Sequence, residues 1–194
     1  MYKILISYLV IIITLFFISC EDTEIKNSNI GITEVIINEI NYNSLDSYDP
    51  DDWIEIYNNS SDTINMGSWL LKDDSDDHIF IVPSNALLPP NQYMVFCKDT
   101  LKFKSLFPNC SLYYGDLSFG LGGGSDFVRL FNPDGLLIDF VEYDDDEPWP
   151  ILADGNGPTL ELKYPSLDNS IGENWLASNG YGTPGSINSV YTNE

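Results

Sequence analysis

The sequence predicts an all-β fold, either a sandwich or a barrel, and three observations lead to this prediction. Apolar runs with a two-residue alternation recur at short spacing along the 194-residue chain. Gly, Pro, Asn and Asp separate these runs, as expected of turns. The chain also lacks a sustained helical repeat of apolar residues. Many short strands divided by turn residues are typical of antiparallel sandwiches and barrels.

The first 19 residues predict a signal peptide of the lipoprotein type. Lys3 supplies a positive charge, and the run from Ile4 to Ile18 is almost wholly apolar. A run of this length is short for a membrane-spanning helix and suits the core of a signal peptide. The sequence Phe17-Ile18-Ser19-Cys20 resembles a bacterial lipobox, which implies removal of residues 1–19 and lipid modification of Cys20. The alternative is a simple secretory signal followed by an unmodified Cys20.

Residues 20–32 are predicted to be the lipidated Cys20 and a flexible acidic tether, because their polar composition suits a linker. Acyl chains on Cys20 would hold the chain to a membrane, since each buried methylene contributes about 0.8 kcal/mol. Glu21-Asp22-Thr23-Glu24 resembles the acidic export tag of some Bacteroidetes-type lipoproteins. This resemblance implies an outer-membrane lipoprotein of the bacterial cell envelope, with exposure at the cell surface as one option.

Residues 33–188 are predicted to form the β-domain, and residues 189–194 a short tail. The first strand is expected over residues 33–42, where alternation places Val35, Ile37 and Glu39 on one face. An aspartate-rich loop follows at residues 43–52.

The stretch from Trp53 to Asp74 predicts a strand, a polar turn and a second strand. Residues 53–57 alternate between isoleucines and larger or charged side chains, the period of a strand with one buried face. Asn132-Pro133-Asp134-Gly135 predicts a hairpin turn, because Pro presets its backbone angle and Gly accepts a positive one. Further strands are predicted over residues 78–82, 92–97, 127–131, 136–143 and 159–163, and a short helix or irregular turn over residues 99–107.

The formal net charge of −22, from 8 basic and 30 acidic residues, argues against one class of partner. Nucleic-acid binding depends largely on Lys and Arg contacting phosphates, so the chain is not predicted to bind nucleic acid. The charge favours cations and basic partners instead. In the alternative, most of these carboxylates only keep an exported protein soluble.

Calcium is the ligand that the acidic loops favour most. Ca²⁺ takes about six to eight oxygen ligands from carboxylates, amides and backbone carbonyls. The loops do not have the spacing of an EF-hand. The candidate ligands are Asp46, Asp49, Asp51, Asp52, Asp144, Asp145, Asp146 and Asp154.

Glu39, Glu55 and Glu161 each lie inside an apolar strand and are predicted to be partly buried. A buried carboxylate needs a partner. Because the chain has few basic residues, backbone donors, water or a cation have to supply it. The alternative is an outward-facing position on a half-exposed strand.

Catalysis has little support in the sequence. The chain has one histidine, His78, which excludes a metal site built on several histidines within one chain. A nucleophile elbow of the form Gly-x-Ser-x-Gly is lacking, and carboxylates are too abundant for any pair to indicate a glycosidase. We therefore predict no catalytic residues.

Cys97 and Cys110 are candidates for a disulfide, because an exported protein meets an oxidising compartment. Two small buried apolar side chains are the alternative. Trp149 and Trp175 lie in a loop-rich segment and are expected to fold back over the β-domain. Their alternative role is that of exposed aromatic binding platforms.

Several short segments occur in a fixed order along residues 33–188. They are Ile36-Ile37-Asn38-Glu39-Ile40, Trp53-Ile54-Glu55-Ile56-Tyr57-Asn58, Met66-Gly67-Ser68-Trp69, Gly123-Gly124-Ser125-Asp126-Phe127-Val128-Arg129-Leu130, Pro148-Trp149-Pro150, Asp154-Gly155, Leu160-Glu161-Leu162 and Gly182-Thr183-Pro184-Gly185. This ordered set resembles the lamin tail domain (LTD) family in its bacterial secreted form. The resemblance implies an immunoglobulin-like β-sandwich, here with a loop-rich C-terminal extension. Lamin tails serve as interaction modules, and the family brings no catalytic motif.

The sequence therefore predicts a non-catalytic, lipid-anchored module of the cell envelope for binding or adhesion, with a membrane contact through Cys20 and an unknown protein or glycan partner. One alternative is a structural envelope lipoprotein without a dedicated ligand. Another is an enzyme or an enzyme's accessory subunit, such as a carboxylate-based hydrolase.

Overall fold

The computed structural model describes residues 34–191. The predicted signal peptide, Cys20 and the acidic tether lie outside the described residues. Within them, the helix α1 spans Thr100–Leu106 and two 3₁₀ turns span Ile151–Ala153 and Gly172–Asn174. The strands are β1 (Val35–Asn41), β2 (Trp53–Asn58), β3 (Ile64–Asn65), β4 (Leu70–Lys72), β5 (Phe80–Ile81), β6 (Leu87–Leu88), β7 (Tyr93–Cys97), β8 (Tyr113–Gly115), β9 (Ser125–Phe131), β10 (Leu137–Asp144), β11 (Leu160–Leu162) and β12 (Trp175–Ala177).

Two sheets pack against each other and form the predicted β-sandwich. One has six strands in the order β12-β11-β1-β2-β7-β8, and the other has four in the order β10-β9-β4-β5. Their shared core contains Ile54 and Phe96 from the first sheet and Val128 and Val141 from the second. Strands β3 and β6 pair separately. All strand pairs are antiparallel except β7 with β8, so the all-β, immunoglobulin-like fold class is confirmed.

Strand β10 shows why these residues form a sandwich. Its side chains alternate between buried Asp139, Val141 and Tyr143 and the exposed positions between them. This two-residue period gives the strand one core face and one solvent face. Burial of the apolar face stabilises the sheet by about 25 cal/mol for each Å² removed from water.

The outer face of the six-stranded sheet is also covered, although the sequence pattern predicts one half-exposed face. Trp53 on this face packs edge-on against Phe103 and Phe107, with ring centroids 6.0 and 5.8 Å away. Phe103 belongs to α1, which begins after Asp99, whose side chain accepts hydrogen bonds from the Leu101 and Lys102 backbone N–H groups. Of the short helix or irregular turn predicted for residues 99–107, the helix is the one that the structure has, over Thr100–Leu106.

A β-bulge at Asn38 changes the facing of β1. Ile37 pairs with Ile56 and Glu39 pairs with Glu55, so one residue of β2 faces two of β1 at this point. Ile37 consequently joins the core, whereas Glu39 lies on the outer face beside Glu55. The prediction that Ile37 and Glu39 share one face is wrong, because the bulge breaks the alternation.

The C-terminal segment forms strands as well as the predicted loops. It supplies β11 and β12, which extend the six-stranded sheet beyond β1. Residues 182–190, here called the strap, then cross the outer face of that sheet through hydrogen bonds to β1, β2 and β11. A membrane-spanning helix would need a longer apolar segment than any helix among residues 34–191 provides.

Candidate functional site

A groove of about 1000 Å³ opens beside the edge strand β12. One wall is the 3₁₀ turn Ile151–Ala153 with the residues before it, and the other includes Leu176 and Ala177 of β12. Ile151 and Leu152 are more than half exposed, at 55% and 58%. Apolar side chains gathered around one concave surface are typical of ligand and partner sites.

Trp149 and Trp175 are buried rather than exposed, although only Trp149 lines the groove. Their side chains are only 7% and 1% exposed, and their ring centroids lie 5.9 Å apart. The Trp175 indole N–H donates to the Asn169 carbonyl oxygen at 2.9 Å. Both tryptophans pack in the sandwich core, in the position expected of residues that fold back over the β-domain. Trp149 still contributes to the lining of the groove.

The edge strand β12 offers backbone groups to this groove. Ser178 N–H donates to the Thr159 carbonyl oxygen and Lys163 N–H donates to the Asn174 carbonyl oxygen, both at 3.0 Å. In an antiparallel pair, every second residue of a strand bonds to the neighbouring strand. These two bonds therefore show which residues of β12 bond to β11 and which do not. The N–H and C=O of Ala177 therefore point away from β11, along the open edge of the sheet.

Glu39, Glu55 and Glu161 lie side by side on the covered face of the sheet. Glu39 of β1 pairs with Glu55 of β2 on one side and with Glu161 of β11 on the other. All three are fully buried, at 0% exposure, which exceeds the partial burial predicted. The sequence does not identify the hydrogen-bond partners of these carboxylates, and residues of the strap supply several of them.

Each glutamate holds the strap at a different point. Glu39 Oε1 accepts a hydrogen bond from the Thr183 backbone N–H at 3.0 Å, and Glu55 Oε2 accepts one from the Gly185 N–H at 2.6 Å. Glu161 Oε2 accepts from the Val190 N–H at 3.0 Å. Backbone donors are thus among the partners, as the sequence predicts, and side-chain donors add to them: the Asn38 amide and the Thr159, Thr183 and Ser189 hydroxyls.

Burial raises the pKa of two of these carboxyls. For Glu39, burial and the nearby charge of Glu161 raise the pKa to about 8. For Glu55, burial and the charge of Glu39 raise the pKa well above its ordinary value. The Thr183 hydroxyl lies 3.3 Å from Glu39 Oε2 and donates to Glu161 Oε1 at 2.8 Å. The Thr183 hydroxyl therefore lies between the Glu39 and Glu161 carboxyls and links the strap to both.

The aspartates of the first predicted calcium loop are mostly engaged by lysines. Lys102 Nζ lies 3.0 Å from Asp49 and 3.1 Å from Asp51. Lys98 Nζ lies 3.4 Å from Asp51 and 4.0 Å from Asp52. Asp46 is exposed in the same loop. A cation would have to displace both lysines, so this loop is a poor calcium site.

Three of the second set of predicted ligands come together at one end of the sandwich. Asp144, Asp145 and Asp146 at the end of β10 present carboxylate oxygens that lie within 4.8 Å of one another. Asp154 accepts a hydrogen bond from the side-chain amide of Asn43. Asn43 lies two residues after the end of β1. Sequence analysis missed Asn43, although its position directly after the first predicted strand was a usable signal.

Cys97 and Cys110 are free thiols, so the predicted disulfide is absent. Both are buried, but each faces a different neighbour. A Cβ atom at Gly115 would lie 2.7 Å from Cys97 Sγ, and one at Gly185 would lie 3.2 Å from Cys110 Sγ. The alternative of two small buried apolar side chains is therefore correct.

The single histidine is paired with an aspartate at the protein surface. His78 Nδ1 lies 2.6 Å from Asp73 Oδ2, and the ring stacks on Phe119 with centroids 5.5 Å apart. The hydrogen bond to Asp73 raises the pKa of His78. Within the described residues, the contacts given above for His78 are an ion pair and a ring stack, and neither partner is a serine or cysteine nucleophile.

Comparisons with known proteins agree with this fold. A family model described as Lamin Tail Domain matches residues 29–145, which is more than half of the chain. A crystal structure of a DUF4876 family protein from Bacteroides thetaiotaomicron is similar with a TM-score of 0.50 and 13% identity, over 77% of this chain and 69% of that one. At this identity the likeness shows the fold alone. Among curated proteins, none matches the sequence.

Proposed function

This chain belongs to the lamin tail domain family, and on that premise we propose that it is a non-catalytic binding module of the bacterial cell envelope, anchored through a lipid on Cys20. The partner is an extended protein segment that carries both apolar and basic side chains. The groove beside β12 is the observation that carries this proposal.

The exposed apolar side chains of the groove supply the first contribution to binding. Ile151 and Leu152 stand on one wall, and Leu176 on the other is 43% exposed. Covering such side chains removes apolar surface from water, which favours binding in proportion to the area covered. A partner segment with apolar side chains at alternate positions fits this contribution.

The open edge of β12 supplies the second contribution. A partner in extended conformation pairs with the outward N–H and C=O of Ala177 and adds a strand to the sheet. This mode of recognition uses main-chain hydrogen bonds for affinity and side-chain pockets for specificity. It favours a protein over a glycan, because a peptide backbone offers donors and acceptors at the spacing of a strand.

Charge supplies the third contribution. Glu147 and Glu173 lie on the groove lining, and the whole chain carries a formal charge of −22. Opposite charges on the partner speed encounter and favour the correct register. The partner segment is therefore basic as well as apolar, and its binding weakens with added salt.

The placement of the buried carboxylates supports a non-catalytic role. Glu39, Glu55 and Glu161 lie beneath the strap and accept hydrogen bonds from its backbone. A hydrolytic pair needs room between its carboxyls for a substrate bond and a water. The strap takes up that position, and the family premise favours the same reading.

Defined peptides test this proposal. The purified full chain is titrated by calorimetry with a peptide of alternating valine and lysine, with its valine–glutamate counterpart, and with maltoheptaose. We expect binding of the lysine peptide alone, weakened by salt. The double variant Leu152→Ser, Leu176→Ser should weaken it by roughly tenfold, since about 1.4 kcal/mol corresponds to that factor.

The matched control is Leu101→Ser. Leu101 is 84% exposed and lies on α1, whose Phe103 packs on Trp53 of β2, away from the β12 edge. This variant should bind the lysine peptide as the native chain does. Binding of maltoheptaose alone would replace the protein partner with a glycan, and binding of none of the three would favour a structural envelope component.

A further inference from the structure

A second concave surface, of about 280 Å³, is lined by four tyrosines. Tyr57 of β2 pairs with Tyr93 of β7, and their ring centroids lie 4.9 Å apart. Tyr164, which follows β11, and Tyr191, which follows the strap, meet edge-on with centroids 5.6 Å apart. We call the surface lined by these four tyrosines the tyrosine cleft. It shares no described lining residue with the groove beside β12, so the two are separate sites.

Two buried asparagines hold the lining of the tyrosine cleft together. Asn38 and Asn188 both line the cleft and are only 2% and 5% exposed. The Asn38 amide donates to Asn188 Oδ1 at 2.7 Å, and the Asn188 amide donates to the Leu162 carbonyl oxygen at 2.8 Å. These bonds join β1, β11 and the strap. The cleft is therefore formed before a ligand arrives, which lowers the cost of ordering a site on binding.

Other polar groups of the lining are left for a ligand. Within residues 34–191, the side-chain amide of Asn59 and the hydroxyls of Tyr93 and Tyr191 make no hydrogen bond to the protein. Burial raises the pKa of Tyr93, so this hydroxyl stays protonated. An amide and a hydroxyl can each donate and accept. The cleft thus combines aromatic rings with groups that can pair with a polar, hydroxyl-rich ligand.

The lining of the tyrosine cleft is uncharged, although the chain has 30 acidic and 8 basic residues. Asn, Tyr, Ser, Pro, Leu and Ile are the residue types among the described lining residues. The carboxyl of Glu55 lies behind Asn38, whose amide donates to it at 3.0 Å. Because a bound charge needs an opposite charge once it leaves water, this lining favours a neutral ligand over an ion.

We propose that the tyrosine cleft binds a neutral N-acetylated hexosamine unit of a glycan. The C–H face of a sugar ring stacks on the electron-rich face of an aromatic ring, which the tyrosines offer. Sugar hydroxyls pair with the free hydroxyls and with the Asn59 amide. The acetamido methyl group covers Pro165 and Ile187 of the lining, and Ile187 is 57% exposed. A plain glucose unit has no apolar substituent for these side chains, so it gains less from burial.

Calorimetric titration of the purified full chain with N,N′-diacetylchitobiose, with cellobiose and with choline chloride tests this site. Cellobiose is the matched ligand, because it has the same linkage and carries hydroxyls in place of both acetamido groups. We expect the chitobiose to bind at least about tenfold more tightly than cellobiose, a difference of about 1.4 kcal/mol. Choline, a probe for a cation among aromatic rings, should give no heat. Saturation-transfer NMR should give a strong signal at the acetamido methyl protons.

Variants of the lining locate the ligand. Tyr191→Ala removes a ring and should weaken chitobiose binding by roughly tenfold. Tyr93→Phe keeps the ring and removes an unpaired hydroxyl, so it should weaken binding while the unfolding temperature stays unchanged. The matched control is Tyr181→Ala. Tyr181 is 45% exposed and stacks on Tyr48, outside the lining of the cleft, and its loss should leave chitobiose binding as it is.

Three results of the titrations would overturn the proposal. They are equal binding of the chitobiose and cellobiose, binding of choline alone, and binding of none of the three ligands. A loss of chitobiose binding in Tyr181→Ala with Tyr191→Ala unaffected would also overturn it, because the sugar would then bind at the other tyrosines. The valine–lysine peptide is absent from all of these titrations, so their outcome is independent of the groove beside β12.

Discussion

Glu39 and Glu55 face each other across β1 and β2, and both are fully buried. Like charges directly opposite in a sheet destabilise it, so these two carboxyls cannot both be ionised at low cost. Raised pKa values resolve the conflict, because a protonated carboxyl carries no charge and can donate a hydrogen bond. The strap rests on this pair through the N–H groups of Thr183 and Gly185.

The first prediction is that stability falls as pH rises from about 5 to 8. The pKa of Glu39 is about 8 in the folded chain and 4.5 ordinarily, so its contribution is fully present below 4.5 and is lost as pH passes 8. Asp52 and Asp139, each with a pKa of about 6 through burial, act in the same direction at lower pH. A pKa difference of one corresponds to about 1.4 kcal/mol, so the total change is on the order of a few kcal/mol.

Urea unfolding between pH 4.5 and 8.5 measures this dependence. Glu39→Gln should flatten the upper part of the curve, because the amide stays neutral and can still donate to the Thr183 hydroxyl. Asp116→Asn is a control with an exposed carboxyl whose pKa is lowered by the Thr100 hydroxyl, and it should keep the native slope. Identical slopes for the native chain and Glu39→Gln would contradict a protonated Glu39.

The second prediction concerns how closely the strap packs against the sheet. A Cβ atom at Gly182 would lie 2.7 Å from Glu39 Oε1 and 2.9 Å from Trp53 Cζ2. Gly182→Ala should therefore destabilise the protein by about 1–3 kcal/mol more than backbone strain alone, since crowding a packed site costs about that much. Gly180→Ala isolates the strain, because Gly180 also has a positive φ, of 103°, but open space around its Cβ position. Equal losses in the two variants would mean that the strap is loosely seated.

The third prediction is that the native protein reacts slowly with thiol reagents. Burial raises the pKa of Cys97 to about 12 and that of Cys110 to about 11, and the thiolate is the reactive form. In the Cys20→Ser variant, Ellman's reagent should find almost no reactive thiol in the folded chain and both thiols, Cys97 and Cys110, after denaturation in urea. A reducing agent should leave the unfolding temperature unchanged. A drop in that temperature would show that the two residues do form a bond.

The fourth prediction concerns the membrane anchor. Cells grown with labelled palmitate should label the native chain and not Cys20→Ser, because lipid modification is expected at that thiol. Cys97→Ser is the control for a general effect of losing a cysteine, and it should keep both the label and the membrane association. Label in Cys20→Ser would place the lipid elsewhere.

Local patterns were sufficient for many of the elements. The alternation in residues 53–57 and 136–143 predicts β2 and β10, because this signal depends on neighbours in sequence. Residues 175–177 were not recognised as a strand, since three residues carry too little periodicity and β12 is defined by its pairing with β11. The bulge at Asn38 was missed for the same reason, because a bulge exists only relative to a partner strand.

The candidate site was predicted in its residue types but not in its groupings. The three strand glutamates stand out because charged residues are rare in apolar runs, yet only strand pairing places Glu161 beside Glu39, across more than a hundred residues of sequence. Asp154 was named as a candidate ligand, whereas its partner Asn43 was not. The sequence does not distinguish the aspartate loop around Asp51 as a calcium site from the other acidic loops. The structure does, because Lys98 and Lys102 lie within ion-pair distance of Asp51.

The sequence by itself determined the all-β class, because alternation and turn residues are local properties of the chain, and its ordered short segments resemble the lamin tail domain family. Tertiary structure alone decided which carboxylates stand together, which lysines oppose them, and that both tryptophans and both cysteines are buried. The physical reason is that electrostatic and packing energies depend on distances in space. Those distances follow from sheet pairing and from the path of the strap, which no local pattern in the chain encodes.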